Sequence, residues 1–163
     1  MLARGEEGLD GTKADIERMG DEVLCIPTDV SDYDQVEADM RIEDTAESDY
    51  DFLVVPGGRA PESLRTDAPE TAELIAAFDA ANKPIASVCH GAQLLISADV
   101  LDGRAATAYW PLAIDLENAG ATFRDQEVVV DDNLVTSRYP DDMPAFMHEL
   151  LGLLEEVSIE ATA

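Results

Sequence analysis

Two short, uninterrupted apolar runs limit what this chain can fold into. DFLVV (51–55) stops at Pro56-Gly57-Gly58, and PIASV (84–88) stops at Cys89-His90-Gly91. Runs this brief, with no polar alternation, suit strands covered on both faces of a parallel sheet. Between them, PETAELIAAFDAAN (69–82) carries Leu74, Ile75 and Phe78 at helical spacing. A helix between two such strands is the alternation expected of an α/β domain.

The rest of the chain follows the same alternation. Thr12 followed by Asp15 marks a helix start, with Gly20 as its stop, and EVLCIP (22–27) reads as a strand. QVEADMRI (35–42) sets Val36, Ala38, Met40 and Ile42 on one face, the pattern of a half-buried strand. GAQLLISAD (91–99) is a helix, AATAY (105–109) is strand-like, and PLAIDLENAG (111–120) is a short helix ending at Gly120. EVVV (127–130), Asp131-Asp132 and NLVTSR (133–138) form a hairpin, and Met143 to Val157 is a final helix. Such an order predicts an α/β domain, a mostly parallel sheet with helices on both faces. Only MLA precedes the first Gly-rich turn. The opening strand of a doubly wound domain is therefore expected to be truncated or to begin upstream of Met1.

At 163 residues and 46% hydrophobic, the chain fits a single globular domain over 1–163. No run approaches the roughly 18 apolar residues of a membrane span, and MLARGEEGLD lacks a signal-peptide core, so a cytoplasmic setting is expected. Asp and Glu total 36 against 10 Lys and Arg, a net charge of −26. Such a chain repels nucleic acid and anionic lipid. The acids are dispersed among well-patterned segments, which reads as a halophile's surface and speaks to the solvent rather than to chemistry. Two cysteines, Cys25 and Cys89, make no disulfide framework, and no Cys/His spacing suggests a metal.

Chemistry concentrates where PIASV ends. Ser87-Val88-Cys89-His90-Gly91 is the strand–turn–helix context of a nucleophile elbow, which predicts strained backbone at Cys89. Unpaired N–H groups at the following helix start favour a thiolate, and the His90 N–H is placed to hold an oxyanion. If the two apolar strands are neighbours, Gly57-Gly58 lies beside Cys89 and the Gly58 N–H is the second donor. Cys25, mid-strand with no base nearby, reads as core. His148 reads as surface or packing, and Tyr109-Trp110-Pro111 as core or, since they follow a strand end, pocket wall.

DFLVVPGGRAPE, KPIASVCHGAQLLISADVLDGRAATAY and LENAGATFRDQEVVVDDNLVTSRYPDDMPAFMHELL together resemble the PfpI/ThiJ family, the intracellular protease-like branch of the class I glutamine amidotransferase-like fold. The resemblance runs from about Asp49 to Leu154 and implies a flavodoxin-like sandwich. It implies that Cys89 is the nucleophile and His90 the His that follows it. It implies that Glu62 is the acid reaching a neighbouring subunit's His, and that Gly58 and His90 donate to the oxyanion. Tyr109 matches an aromatic near the pocket. The family also keeps a Glu after its first strand that hydrogen-bonds the cysteine. LARGEEGLDG stands there instead, with Glu7 (or Glu6) as stand-in.

The expected activity is attack of Cys89 on a carbonyl centre, with no metal or cofactor. The substrate is a peptide or amide, or a small aldehyde such as methylglyoxal. The resemblance further implies a homo-oligomer, a dimer or a hexamer. Two alternatives stand beside this: a cysteine redox sensor, and a catalytically degenerate subunit. A glutamine amidotransferase fits worse, because His148-Glu149 lacks that class's His-x-Glu spacer and falls in a helix.

Overall fold

The computed structural model describes residues 41–161, with side chains through 155. The described elements belong to the compact unit Ile42–Ala163. Expectations for residues 1–40 lie outside that range: the Thr12–Asp15 helix start, the 22–27 strand, the opening strand, Glu7 and Cys25. Only the end of the 35–42 strand is described. There the expectation fails, because Ile42 opens a 3-10 turn, Ile42–Asp44.

Four strands form the main sheet: β1 (Leu53–Val55), β2 (Ile85–Val88), β5 (Val128–Asp131) and β6 (Leu134–Ser137), in the order β1-β2-β6-β5. β1 and β2 run parallel in the register Leu53–Ile85, and β2 and β6 in the register Ile85–Leu134. β5 joins β6 antiparallel through a tight turn, with Asp132 at φ 51. Asp131 therefore belongs to β5 and not to the turn. A second pair, β3 (Ala105–Ala106) and β4 (Thr122–Phe123), is parallel.

The pleat divides the core. Ile85 and Leu134 face a cluster with Ile75 and Phe78 of α2 (Glu70–Ala80), Leu94 and Leu95 of α3 (Ala92–Ser97) and Leu116 of α4 (Ala113–Asn118). One residue further along each strand, Ala86 and Val135 face Phe146 and Leu150 of α5 (Met143–Ala161) on the other side. Side chains alternate along a strand, so two adjacent apolar positions serve two opposed layers. This is the expected α/β sandwich, with helices on both faces. Phe146 is 1% exposed in the thinner layer. Phe146→Ala is expected to cost about 3–5 kcal/mol, read from urea midpoints, and a loss below about 1 kcal/mol would contradict that packing.

Several local readings change. β1 is an edge strand of the described sheet, and Val54 is 44% exposed, so DFLVV is not covered on both faces. Only Ala105–Ala106 of AATAY pairs as a strand. α1 (Ala60–Asp67) has no counterpart in the sequence reading, because APESLRTD turns only Pro61 and Leu64 inward and shows no apolar stripe. The last helix extends past Val157 to Ala161. Among the described residues, no helix is long and apolar enough to cross a membrane.

Candidate active site

The break after β2 is sharper than a strand running into a helix. Cys89–Gly91 is one 3-10 turn, and α3 begins only at Ala92, so the helix expected at 91–99 is a six-residue helix behind that turn. Cys89 has φ 60, the left-handed region that a residue with a side chain seldom adopts. That is the strain expected of an elbow residue. It follows extended backbone at Val88 (φ −126) and precedes a tight turn, which puts the half-buried Sγ at the carboxyl edge of the sheet.

Close packing holds the elbow in place. A methyl group on Gly91 would lie 2.6 Å from both Ser87 Oγ and the Val55 carbonyl oxygen. Gly91 has φ −53, so glycine is needed there for space and not for its dihedral freedom. A methyl on Gly57 would lie 2.8 Å from Cys89 Cβ and 3.4 Å from the His90 nitrogen. The turn after β1 therefore runs against the elbow, as the parallel pairing of β1 and β2 requires. Among the described residues, neither the Gly58 nor the His90 N–H donates a backbone hydrogen bond. His90 sits where a helical turn's amides have no acceptor within it.

His90 Nδ1 stands 3.2 Å from Cys89 Sγ. The imidazole lies against the Tyr109 ring, with centroids 4.7 Å apart and planes 30° apart. The Tyr109 N–H donates to the Cys89 carbonyl at 3.4 Å, and the Thr107 N–H donates to Thr136 Oγ1 at 2.9 Å. These two bonds bring the strand end at 106 to the elbow. Trp110 is 6.2 Å from Tyr109 but 61% exposed, so it flanks the site rather than closing it. Glu62 is exposed on α1, and no hydrogen bond links its carboxylate to His90. His148 is exposed on α5, as expected. Among the described residues, no group of three or more His, Cys, Asp or Glu could hold a metal ion. A polar cleft of about 480 Å³, lined by Asp125, Gln126, Glu127, Val128 and Arg138, does not include Cys89.

The chain thus carries a strained Cys–His elbow at a parallel sheet edge, and the sequence profile of the DJ-1/PfpI family matches residues 15–153. The chain belongs to the DJ-1/PfpI family. Protein/nucleic acid deglycase 2 of Escherichia coli is 51% identical over 120 residues, 73% of this chain and 69% of that protein. Deglycase PfpI of Pyrococcus furiosus is 43% identical over 120 residues, 74% of this chain and 72% of the relative. Among solved structures, a two-domain protein from Anabaena variabilis has DJ-1/ThiJ/PfpI-like and ferritin-like domains. It superposes with a TM-score of 0.68 at 38% identity, covering 70% of this chain and 34% of that one. The flavodoxin-like architecture is therefore that of the DJ-1/PfpI fold.

The sequence reading missed Tyr139 and the charges behind it. Tyr139 meets Tyr109 edge-on, with centroids 6.0 Å apart and planes at 84°. Arg138 lies over the Tyr139 ring at 5.4 Å. The signal available was SRYPDD directly after a buried strand. A strand that pairs with β2 must deliver its next residues to the same edge as Cys89.

Proposed function

We propose that this chain is a cysteine-dependent enzyme of the PfpI type, acting on the carbonyl of a reactive aldehyde or of its adducts, a cofactor-free glyoxalase or deglycase of the cytoplasm. The observation that carries the reading is the Cys89 sulfur, 3.2 Å from His90 Nδ1, on a backbone strained to φ 60. Both relatives described above carry deglycase in their names.

With methylglyoxal, Sγ adds to the aldehyde carbon and the carbonyl oxygen takes the negative charge. The His90 and Gly58 N–H groups receive that charge. The His90 imidazole moves a proton from the aldehyde carbon to the neighbouring carbonyl carbon. The first carbon is oxidised to a thioester while the second is reduced to an alcohol, so no outside oxidant is needed. Water then breaks the carbon–sulfur bond, releasing lactate and the free thiol. Glu62 is assigned to the His90 of a second copy in a dimer or hexamer. Its exposure and its lack of an in-chain bond to His90 support that role.

The deciding experiment measures lactate from methylglyoxal and, separately, cleavage of an unmodified peptide, each with wild type and with Cys89→Ala. Lactate formation that disappears in the variant, with no peptide cleavage, is the expected result. Peptide cleavage without lactate would replace the aldehyde reading with the peptidase one. Lactate formation persisting in Cys89→Ala would end the covalent mechanism.

A further inference from the structure

The imidazole of His90 has a soft torsion to set. Rotation about the bond to an sp² ring is broad, and among the described residues the contact to Cys89 Sγ is the only side-chain hydrogen bond His90 makes. Its tilt is therefore decided by the ring packed against it, which is Tyr109. The Tyr109 backbone is tied to the Cys89 carbonyl, but the placement of its ring depends on its own neighbours. It packs in part against the main core cluster, and its aromatic partners on the open side are Trp110, largely exposed, and Tyr139, half-buried and edge-on.

Tyr139 is held from behind. Arg138 Nε donates to Asp142 Oδ2 at 2.9 Å and its Nη1 donates to Asp125 Oδ1 at 2.7 Å, with the guanidinium over the Tyr139 ring. The hydrogen bond to Asp142, then that to Asp125, holds Arg138 protonated well above its ordinary range. A cation over an aromatic face is attractive, and an edge-to-face aromatic pair prefers this separation. The topology supplies the rest: β6 leaves the sheet at Ser137, in register with Val88, the residue before Cys89.

We propose that Tyr139 is a positioning residue for the cysteine–histidine pair: its ring, seated over Arg138, holds Tyr109 against the imidazole and so keeps His90 Nδ1 turned to the sulfur. The inference rests on Cys89 being the reactive group. Charged and titratable groups on the elements around the elbow are Arg59, Glu62, Arg65 and Asp67 near and on α1, Tyr109, and Tyr139 with its Arg138–Asp125–Asp142 cluster. Among the described residues, His90 is the one within hydrogen-bond reach of Sγ.

The test uses iodoacetamide as probe on the intact protein. Alkylation of the Cys89 peptide is followed by mass spectrometry across pH, alongside lactate kinetics, in Tyr139→Phe, Tyr139→Leu and Tyr139→Ala. Loss of the ring in the Leu and Ala variants is expected to slow alkylation at neutral pH at least about threefold and to change its pH profile. It should also lower kcat about tenfold, with KM within about twofold. Tyr139→Phe keeps the ring and should match wild type on both readouts. Tyr139→Leu keeps apolar bulk, so it gives the answer if the Ala variant does not fold. Wild-type alkylation and kcat in Tyr139→Leu would overturn the proposal, and so would a Tyr139→Phe variant as impaired as Leu. If wild type is alkylated at Cys89 yet makes no lactate, the aldehyde reading fails while the alkylation profiles still judge Tyr139.

Discussion

Cys89→Ser should lose at least about a thousandfold in kcat for lactate formation while keeping the fold and a near-normal melting temperature. The two side chains differ by one atom, so the half-buried site loses almost no packing. The chemistry differs far more, because the thiolate is the nucleophile and a serine hydroxyl at neutral pH is almost wholly protonated. His90 stands close enough to take a proton from either group. Among the described residues no carboxylate hydrogen-bonds the imidazole, and an imidazole on its own is a weak activator of a hydroxyl. Residues that act as a unit fail together, so His90→Ala added to Cys89→Ser should cost little more. Initial rates with methylglyoxal, normalised to folded protein by circular dichroism, read the effect. A serine enzyme within tenfold of wild type would show that sulfur is not the attacking atom.

Gly57→Ala should be the most damaging substitution that touches no reacting group. The added methyl would meet Cys89 Cβ at 2.8 Å and the Val88 carbonyl oxygen at 2.9 Å. Neither atom ends a flexible side chain. One is fixed by the strained elbow and the other by the β2 backbone, so the turn after β1 or the elbow itself must move. Overpacking of this kind costs about 1–3 kcal/mol in stability. A displacement approaching 1 Å at the nucleophile costs about 10²-fold in rate. Gly58→Ala provides the contrast: a methyl there meets nothing within 4 Å, and its cost is the strain of φ 80 alone. Denaturant midpoints and kcat measured on both variants separate crowding from dihedral strain. A Gly57→Ala enzyme as active as Gly58→Ala would mean that the two turns are not in contact.

The elements that carry Cys89 and His90 were legible because their signals are local. An apolar run closed by Cys-His-Gly, another closed by Pro-Gly-Gly, and the hairpin around Asp132 all encode their shape within a few residues. Strain at Cys89 followed from the same local logic. α1 was not legible, because a polar helix that buries Pro61 and half-buries Leu64 lacks a periodic stripe. The Glu62 it carries was placed only by the family resemblance.

Sequence alone determined the strands and helices that flank the elbow, the position of the elbow, and the residue types offered there. Turn chemistry and hydrophobic period are properties of neighbouring residues, and they survive without knowledge of the fold. Tertiary structure alone decided that Val54 lies on an edge strand of the described sheet, that Gly91 is glycine for lack of space, and that Tyr109 lies against His90 with Tyr139 edge-on behind it. Each of those depends on which strand pairs with which. That pairing is set by burying apolar faces on both sides of the sheet, a sum over the whole chain that no short stretch of residues contains.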